Sequence, residues 1–425
     1  MRVRVDRRAL FVCLFSASIL TLSSPVIDCH AAEVTAESET ILRVFEGGRE
    51  NTNEQRAAPI YEYLKLGVDK LPVEGLSFQA HAWGRYDLES EYEEERSAGE
   101  VLSAYLQYYV PSYNFLWRLG RQQIFAGISN ESIDGARAGL DLTRYFAVDA
   151  YAGQPVSLET TNGRNGDSIF GGRFSHHLRG YYDVGLSYKR LLNDGDTQEQ
   201  VMGIDSRLSL PLGIIVSGLS SLNIETDGWR EHSYEARIPI LRFELRPFFE
   251  RFQYDDFFEA GLDNSQVFRF LANTGEVLTV IGGELAWAPF PRLDLSAQVK
   301  HYDYDEQDET SVYYAGKATW RWKGLSQIGA ELGRMDGDTP ENRYTLSRGY
   351  LYWDWAPMFA SADLMYVWYD EPINSEQDAW FSSIGVGSRF LKDTLELKAS
   401  GDYSADPFFD SDLRGMFTLR YLFQL

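Results

Sequence analysis

LRGMFTLRYLFQL, residues 413–425, sets Leu413, Phe417, Leu419, Tyr421, Phe423 and Leu425 on one parity and Arg414, Thr418, Arg420 and Gln424 on the other. Side chains alternate across a β-strand with a period of two, so this stretch is a strand with one apolar and one polar face. The same alternation recurs upstream. Leu76, Phe78, Ala80, Ala82 and Tyr86 oppose Gln79, His81, Arg85 and Asp87. Ala136, Ala138, Leu140 and Leu142 oppose Arg137 and Asp141, and Leu293, Leu295, Ala297 and Val299 oppose Asp294, Gln298 and Lys300. Trp380, Ile384, Val386 and Phe390 oppose Arg389. Segments of about ten alternating residues with Tyr and Trp near their ends match strands that cross a bilayer obliquely, and outlast the five or six residues usual in a soluble sandwich.

The connections carry a second pattern. Long polar links centre on 89–99, 126–134, 153–166, 192–199, 223–232, 254–275, 303–311, 335–342, 369–378 and 404–412. Tight ones lie between them, such as Pro111 to Asn114, Pro211 to Gly213, Trp322 to Leu325, Ala356 to Met358 and Leu391 to Asp393. Long loops outside the cell and short turns in the periplasm give an all-β, transmembrane antiparallel β-barrel of about 20 strands with longer, acidic extracellular loops. Ile60 to Asp69 also reads as a strand and resists that count.

The 425-residue chain has 14% aromatic residues and a formal charge of −23, which argues against nucleic acid as a partner. Residues 1–32 read as a secretory signal with Arg2, Arg4, Arg7 and Arg8 before an apolar stretch from Ala9 to Leu22, too short to span a bilayer. Residues 33–59 read as a polar N-terminal periplasmic arm and 60–425 as the barrel. The destination is the outer membrane, with lipid, lipopolysaccharide and the barrel-assembly machinery as partners. Both cysteines, Cys13 and Cys29, precede the expected cut, so the mature chain has no disulfide, no thiolate site and no C-x-x-C-H for haem. No cofactor is expected.

The polar parity carries Arg85, Arg137, Arg173, Lys189, Arg207, Arg237, Arg242, Arg246, Lys300, Arg321, Arg389, Arg414 and Arg420, interspersed with Asp149, Asp183, Asp205, Glu235, Glu244 and Asp294. Unpaired charges in a dry interior cost several kcal/mol each, so the enclosed space is wet or occupied. Paired wall charges and a charged path for solutes both satisfy this pattern. Two segments are candidates to fill the space: the arm Glu33 to Pro59, and the link Tyr254 to Gly275 with Phe257, Phe258, Phe268 and Phe270.

Other constellations are sparse. Glu89, Glu91, Glu93, Glu94 and Glu95, then Asp255 and Asp256, then Asp303, Asp305, Glu306, Asp308 and Glu309 read as solvated loop charge, without the glycine turn and terminal glutamate of an EF-hand. His176 and His177 are expected on a short turn, and no second histidine pair at ligand spacing follows. His232 and Ser233 are the only neighbours suggestive of hydrolytic chemistry, and the chain reads as non-enzymatic.

RLGRQQIFAGISNESIDGARAGLDL (118–142), GRFSHHLRGYYDVGLSYKR (172–190) and RMDGDTPENRY (334–344) resemble the barrel subunits of porin-cytochrome conduits and, more loosely, porin-like and alginate-export barrels. The resemblance implies a sleeve around a multihaem cytochrome, with periplasmic and extracellular cytochromes as partners. A free-standing diffusion or export channel and a barrel enzyme are the competing expectations. Phe417, Leu419, Tyr421, Phe423 and Leu425 resemble the C-terminal signal read by the barrel-assembly machinery, with Leu425 where an aromatic residue is usual.

Overall fold

The computed structural model describes residues 32–47, 55–89, 96–156, 167–258, 275–407 and 409–424. The signal segment, most of the Glu89–Glu95 run, Phe268, Phe270 and Leu425 lie outside these. The described chain is almost wholly strand, in two compact units. Among the described residues no helix is long and apolar enough to cross a membrane, which bears on helices alone.

The first unit holds β1 (Glu33–Gly47), β2 (Gln55–Ala57 continuing as Pro59–Asp69), β3 (Leu76–Asp87), β4 (Ser97–Val110) and most of β22 (Phe409–Gln424). Successive strands pair antiparallel, and β22 also pairs with β1 from Thr35↔Gln424 to Phe45↔Arg414. Arg420 crosses this seam to Glu37 at 2.7 Å.

The second unit begins with β5 (Phe115–Ala126), β6 (Ser129–Asp141), β7 (Phe146–Pro155), β8 (Ser168–Leu178), β9 (Tyr182–Asn193), β10 (Asp196–Ser209) and β11 (Ile215–Asn223). It continues through β12 (Gly228–Ile240), β13 (Phe243–Gln253), β14 (Val277–Phe290), β15 (Leu293–Tyr304), β16 (Glu309–Lys323), β17 (Ser326–Gly337), β18 (Tyr344–Trp355) and β19 (Met358–Ile373). From β5 to β19 each strand pairs antiparallel with the next. Two further strands, β20 (Glu376–Phe390) and β21 (Leu395–Asp406), give residues to both units.

All strands belong to one sheet whose first and last members pair, so the fold is a closed antiparallel β-barrel. Its 23 assigned segments make 22 strands, because β2 is interrupted only at Ala58. The expected count of about 20 is therefore too low. Residues 33–47 form a wall strand rather than a free arm, since β1 bonds to β22 on one side and β2 on the other. The expected outer loops are also shorter than their polar composition suggested. The links at 126–134, 192–199 and 369–378 reduce to two-residue turns at 127–128, 194–195 and 374–375, because the strands run on as ladders through polar sequence.

The two faces differ as the alternation requires. Leu186, Met202, Ile204, Ile281, Leu285, Ile328, Leu332, Leu364, Ile384 and Val386 are exposed on one face. Such an apolar band has the character of a lipid-facing surface. The opposite face carries the charges and is the interior of the barrel. Rings lie flat along it where glycine leaves room: a Cβ at Gly329 would come within 2.2 Å of the Tyr350 ring.

Candidate functional site

Beyond Gly120 and Gly135 the β5–β6 hairpin curls over the polar face, while β6 keeps its ladder with β7 as far as Ile133↔Pro155 and the Val156 N–H donates to the Ser132 carbonyl at 2.9 Å. The hairpin closes in a two-residue turn, Gly127–Ile128, with Gly127 at φ +59, where a glycine is favoured. Its bend lies at a cluster of glycines. Gly120 has φ +123, and a Cβ on Gly135 would meet the Ala152 carbonyl oxygen at 2.2 Å and Gly153 Cα at 2.6 Å. Gln122 is fully buried and donates from Nε2 to the Gly120 carbonyl at 3.4 Å and the Gly135 carbonyl at 3.3 Å, satisfying groups the bend exposes.

Beyond the bend the hairpin lies as a flap on β7–β10. Ile124, Ala126 and Ile133 pack with Tyr151 and Ile169 of the wall, joined by Leu191. Ile124, Ile133 and Ile169 are at most 1% exposed, and burying each side chain contributes roughly 1.5–3 kcal/mol. Ser129 and the Tyr151 hydroxyl bond at 2.7 Å in the same buried patch. At the tip, Gly127 sits against Ser187 and Asp205, and Ile128 against Gly203. A Cβ at Gly203 would lie 2.2 Å from Ile128 Cγ2, so the wall glycine admits the flap.

Charges pin the flap. Lys189, 5% exposed at its side chain, reaches Glu131 of the flap and Glu199 of β10 at 2.7 Å each. Arg230 bonds Glu199 at 2.6 Å, and Arg137 bonds Asp149 at 2.8 Å. Arg173 bonds Asp205 through Nε at 3.0 and 3.1 Å and through Nη2 at 2.6 Å, and it also bonds Asp183. These are buried or half-buried pairs whose members hold one another; removing one partner costs far more than the pair contributes.

The flap turns its other face to the enclosed space. Arg121 grips Asp134 through two bonds of 2.8 Å, Gln123 bonds Asn130 at 2.8 Å, and Phe125 is 66% exposed.

The other cations of the polar parity share that face, except that Arg242 falls in a turn. Arg237 and Arg246 bond Glu244 at 2.5 Å, Arg389 bonds Glu396 at 3.3 Å, and Arg321 pairs with Asp294. Lys300 lies 5.6 Å from the Phe248 ring centroid. Arg85 lies 3.7 Å from Asp87, both nearly fully buried. Arg242 stands in the β12–β13 turn rather than on a strand and donates to the Pro289 carbonyl at 3.0 Å. Arg414 and Arg420 face inward from β22, while Phe417, Leu419, Tyr421 and Phe423 share its other face.

The histidines fall elsewhere than expected. His176 and His177 lie within β8, and His176 Nδ1 is 3.1 Å from the Tyr182 hydroxyl. His232 contacts Ser220 across the strand pair at 2.7 Å rather than Ser233, and Ser220, 4% exposed, also bonds Tyr234. That is a part-buried hydrogen-bond network on the lipid-side parity, with the Ser220 hydroxyl already engaged. Among the described residues no three His, Cys, Asp or Glu side chains converge to hold a metal.

The sequence reading missed the flap. The signal was available: above Gly120 and Gly135 the alternation inverts, putting Ile124, Ala126 and Ile133 on the interior parity and Arg121, Gln123, Asn130 and Asp134 on the lipid parity.

No protein family matches the sequence, and no curated protein matches it. Among solved structures the chain is similar to the P pilus usher (PapC) translocation pore, at 9% identity and TM-score 0.49, covering 92% of this chain and 99% of that one. A BenF-like porin from Pseudomonas fluorescens Pf-5 gives 9%, 0.48, 93% and 99% in the same order. OccAB2 of Acinetobacter baumannii gives 9%, 0.47, 93% and 98%. The resemblance to porin-cytochrome conduits is not supported by these likenesses. At such distances these likenesses bear on neither substrate nor activity.

Proposed function

We propose that the chain is a free-standing, non-enzymatic diffusion channel of porin type in the outer membrane, with the flap as its inner constriction. The carrying observation is the flap's reversed polarity: its apolar side is sealed against the wall, and Arg121, Asp134, Gln123 and Asn130 are presented to the interior. A polar layer on a charged, wet wall suits the passage of small hydrophilic solutes. A sleeve around a cytochrome needs a clear inner wall, and here the flap covers β7–β10.

In this reading both termini face the periplasm, the 127–128 turn lies on the extracellular side, and lipopolysaccharide surrounds the extracellular rim. Residues 1–32 direct export, and the β22 pattern serves the assembly machinery. Conductance of the purified chain in a planar bilayer tests the proposal: stable unitary steps without any partner are expected. An electrically silent barrel that conducts only after its flap is removed, or that co-purifies with haem protein, overturns it.

A further inference from the structure

The charges on β7–β10 are not balanced along their length. Beneath the flap each cation has a carboxylate: Lys189 pairs with Glu131 and Glu199, Arg173 with Asp183 and Asp205, and Arg137 of β6 with Asp149. Towards the short-turn end the count reverses. A cavity of about 570 Å³ opens there, lined by Arg144 of the β6–β7 turn, Arg179 of the β8–β9 turn, Arg207 of β10 and His177 of β8, together with Asp141 and Asp183.

Register explains the surplus. Asp183 stands opposite Arg207 on one side and His177 on the other. Its carboxylate is turned to Arg173, whose hydrogen bond it accepts. Asp141 accepts from the Asn114 side-chain amide at 3.3 Å. Among the described residues, Arg144, Arg179 and Arg207 form no ion pair, and Arg144 rests 4.6 Å from the Tyr145 ring centroid. Three unneutralised guanidinium groups around one cavity are out of keeping with a chain of formal charge −23.

We propose that this cavity binds a small oxyanion, a phosphate or carboxylate group carried by a solute at the periplasmic mouth. The site rests on the reading of the polar face as a channel wall. Guanidinium groups suit it because their planar forks bind two oxygens at once. Arg207 supplies the wall contact, and Arg144 and Arg179 close on the ligand from the two adjacent turns. Arg173, by holding Asp183, keeps that carboxylate from pairing with Arg207 across the strands.

Inorganic phosphate is the probe, with the full chain folded in detergent and its fold checked by heat-modifiable gel mobility. Equilibrium dialysis is expected to show saturable binding, weakened about tenfold in Arg207→Gln, as the loss of one charge-assisted hydrogen bond requires. Arg207→Lys is expected to recover only part of it. Arg237→Gln, which removes a cation already paired with Glu244, is expected to bind as the parent does. Absence of saturable binding to the folded parent, or equal weakening in Arg237→Gln, overturns the site. Dialysis needs no current, so a barrel that binds phosphate but does not conduct defeats the channel reading and leaves this one standing. Conduction without phosphate binding does the reverse.

Discussion

The hairpins β5–β6 and β9–β10 both close in two-residue turns, Gly127–Ile128 and Asp194–Gly195, yet the first lies over the polar face and the second stays in the wall. Turn chemistry therefore does not decide which hairpin folds inward. Face polarity does. In β9–β10 the lipid parity holds Leu186, Met202 and Ile204, all more than 40% exposed, and the interior parity holds Ser187, Lys189 and Asp205. In the upper half of β5–β6 the apolar residues sit on the interior parity, where only a second layer of protein can dry them. The wall answers with Ile169, Tyr151 and Leu191 where the flap lands. A glycine bend makes the excursion feasible; the reversed pattern makes it favourable.

The comparison breaks most sharply at Lys189. Lys189→Met leaves Glu131 without its cation, and a loss of about 3 kcal/mol or more is expected in chemical unfolding, with trypsin cutting at Arg121 as the flap lifts. Glu131→Gln in the same chain is expected to restore much of the loss, which a double-mutant cycle would read. If Lys189→Met unfolds as the parent does and resists trypsin, the charges do not pin the flap.

Ile133→Ala tests the apolar half of the seat. The side chain is fully buried, so a destabilisation of roughly 2–5 kcal/mol is expected, with a rise in unitary conductance. The equivalent wall change, Ile204→Ala on the exposed face, is expected to leave conductance alone. Equal effects at the two sites would erase the distinction between the hairpins.

Arg121→Gln has a smaller effect of another kind. The Arg121–Asp134 pair is partly exposed, so its removal is expected to cost at most about 1 kcal/mol. The unbalanced Asp134 carboxylate is expected to shift the reversal potential towards cation selectivity in a salt gradient. An unchanged reversal potential would place Arg121 away from the ion path.

The smallest effect concerns the 338–343 link, which keeps local order without a flap. The Thr310 backbone N–H and hydroxyl donate to Asp338 and hold its carboxyl below the usual range. A lowered folded-state pKa gives stability that is present above the unfolded value and lost as pH falls through the folded one. Amide exchange at Thr310 is therefore expected to quicken only in acid below the ordinary carboxylate range, and Asp338→Asn to remove that dependence. Acid-insensitive exchange in the parent contradicts it.

Much of the barrel was legible in the residues. Alternation fixed the class and the two faces, and links such as Pro111–Asn114 and Pro211–Gly213 fall at turns. Loop lengths were misread because polarity marks exposure to water, and strands that rise beyond the lipid are as wet as loops. The Asp303–Glu309 stretch shows it: Asp303 belongs to β15 and Glu309 to β16. β1 was misread for a related cause, since Glu37 and Glu39 on its interior parity look like the charges of a free arm. The oxyanion cavity was not legible, because it depends on which arginine Asp183 chooses, and sequence lists the partners without the choice.

The seam between β1 and β22 joins residues 35–45 to residues 414–424. Contacts so distant along the chain carry the largest loop-closure entropy in the molecule and form late. A partly made chain therefore exposes two unpaired strand edges until its last segment arrives, and in that interval it can aggregate through them. Protection of the nascent protein is needed most at those two edges.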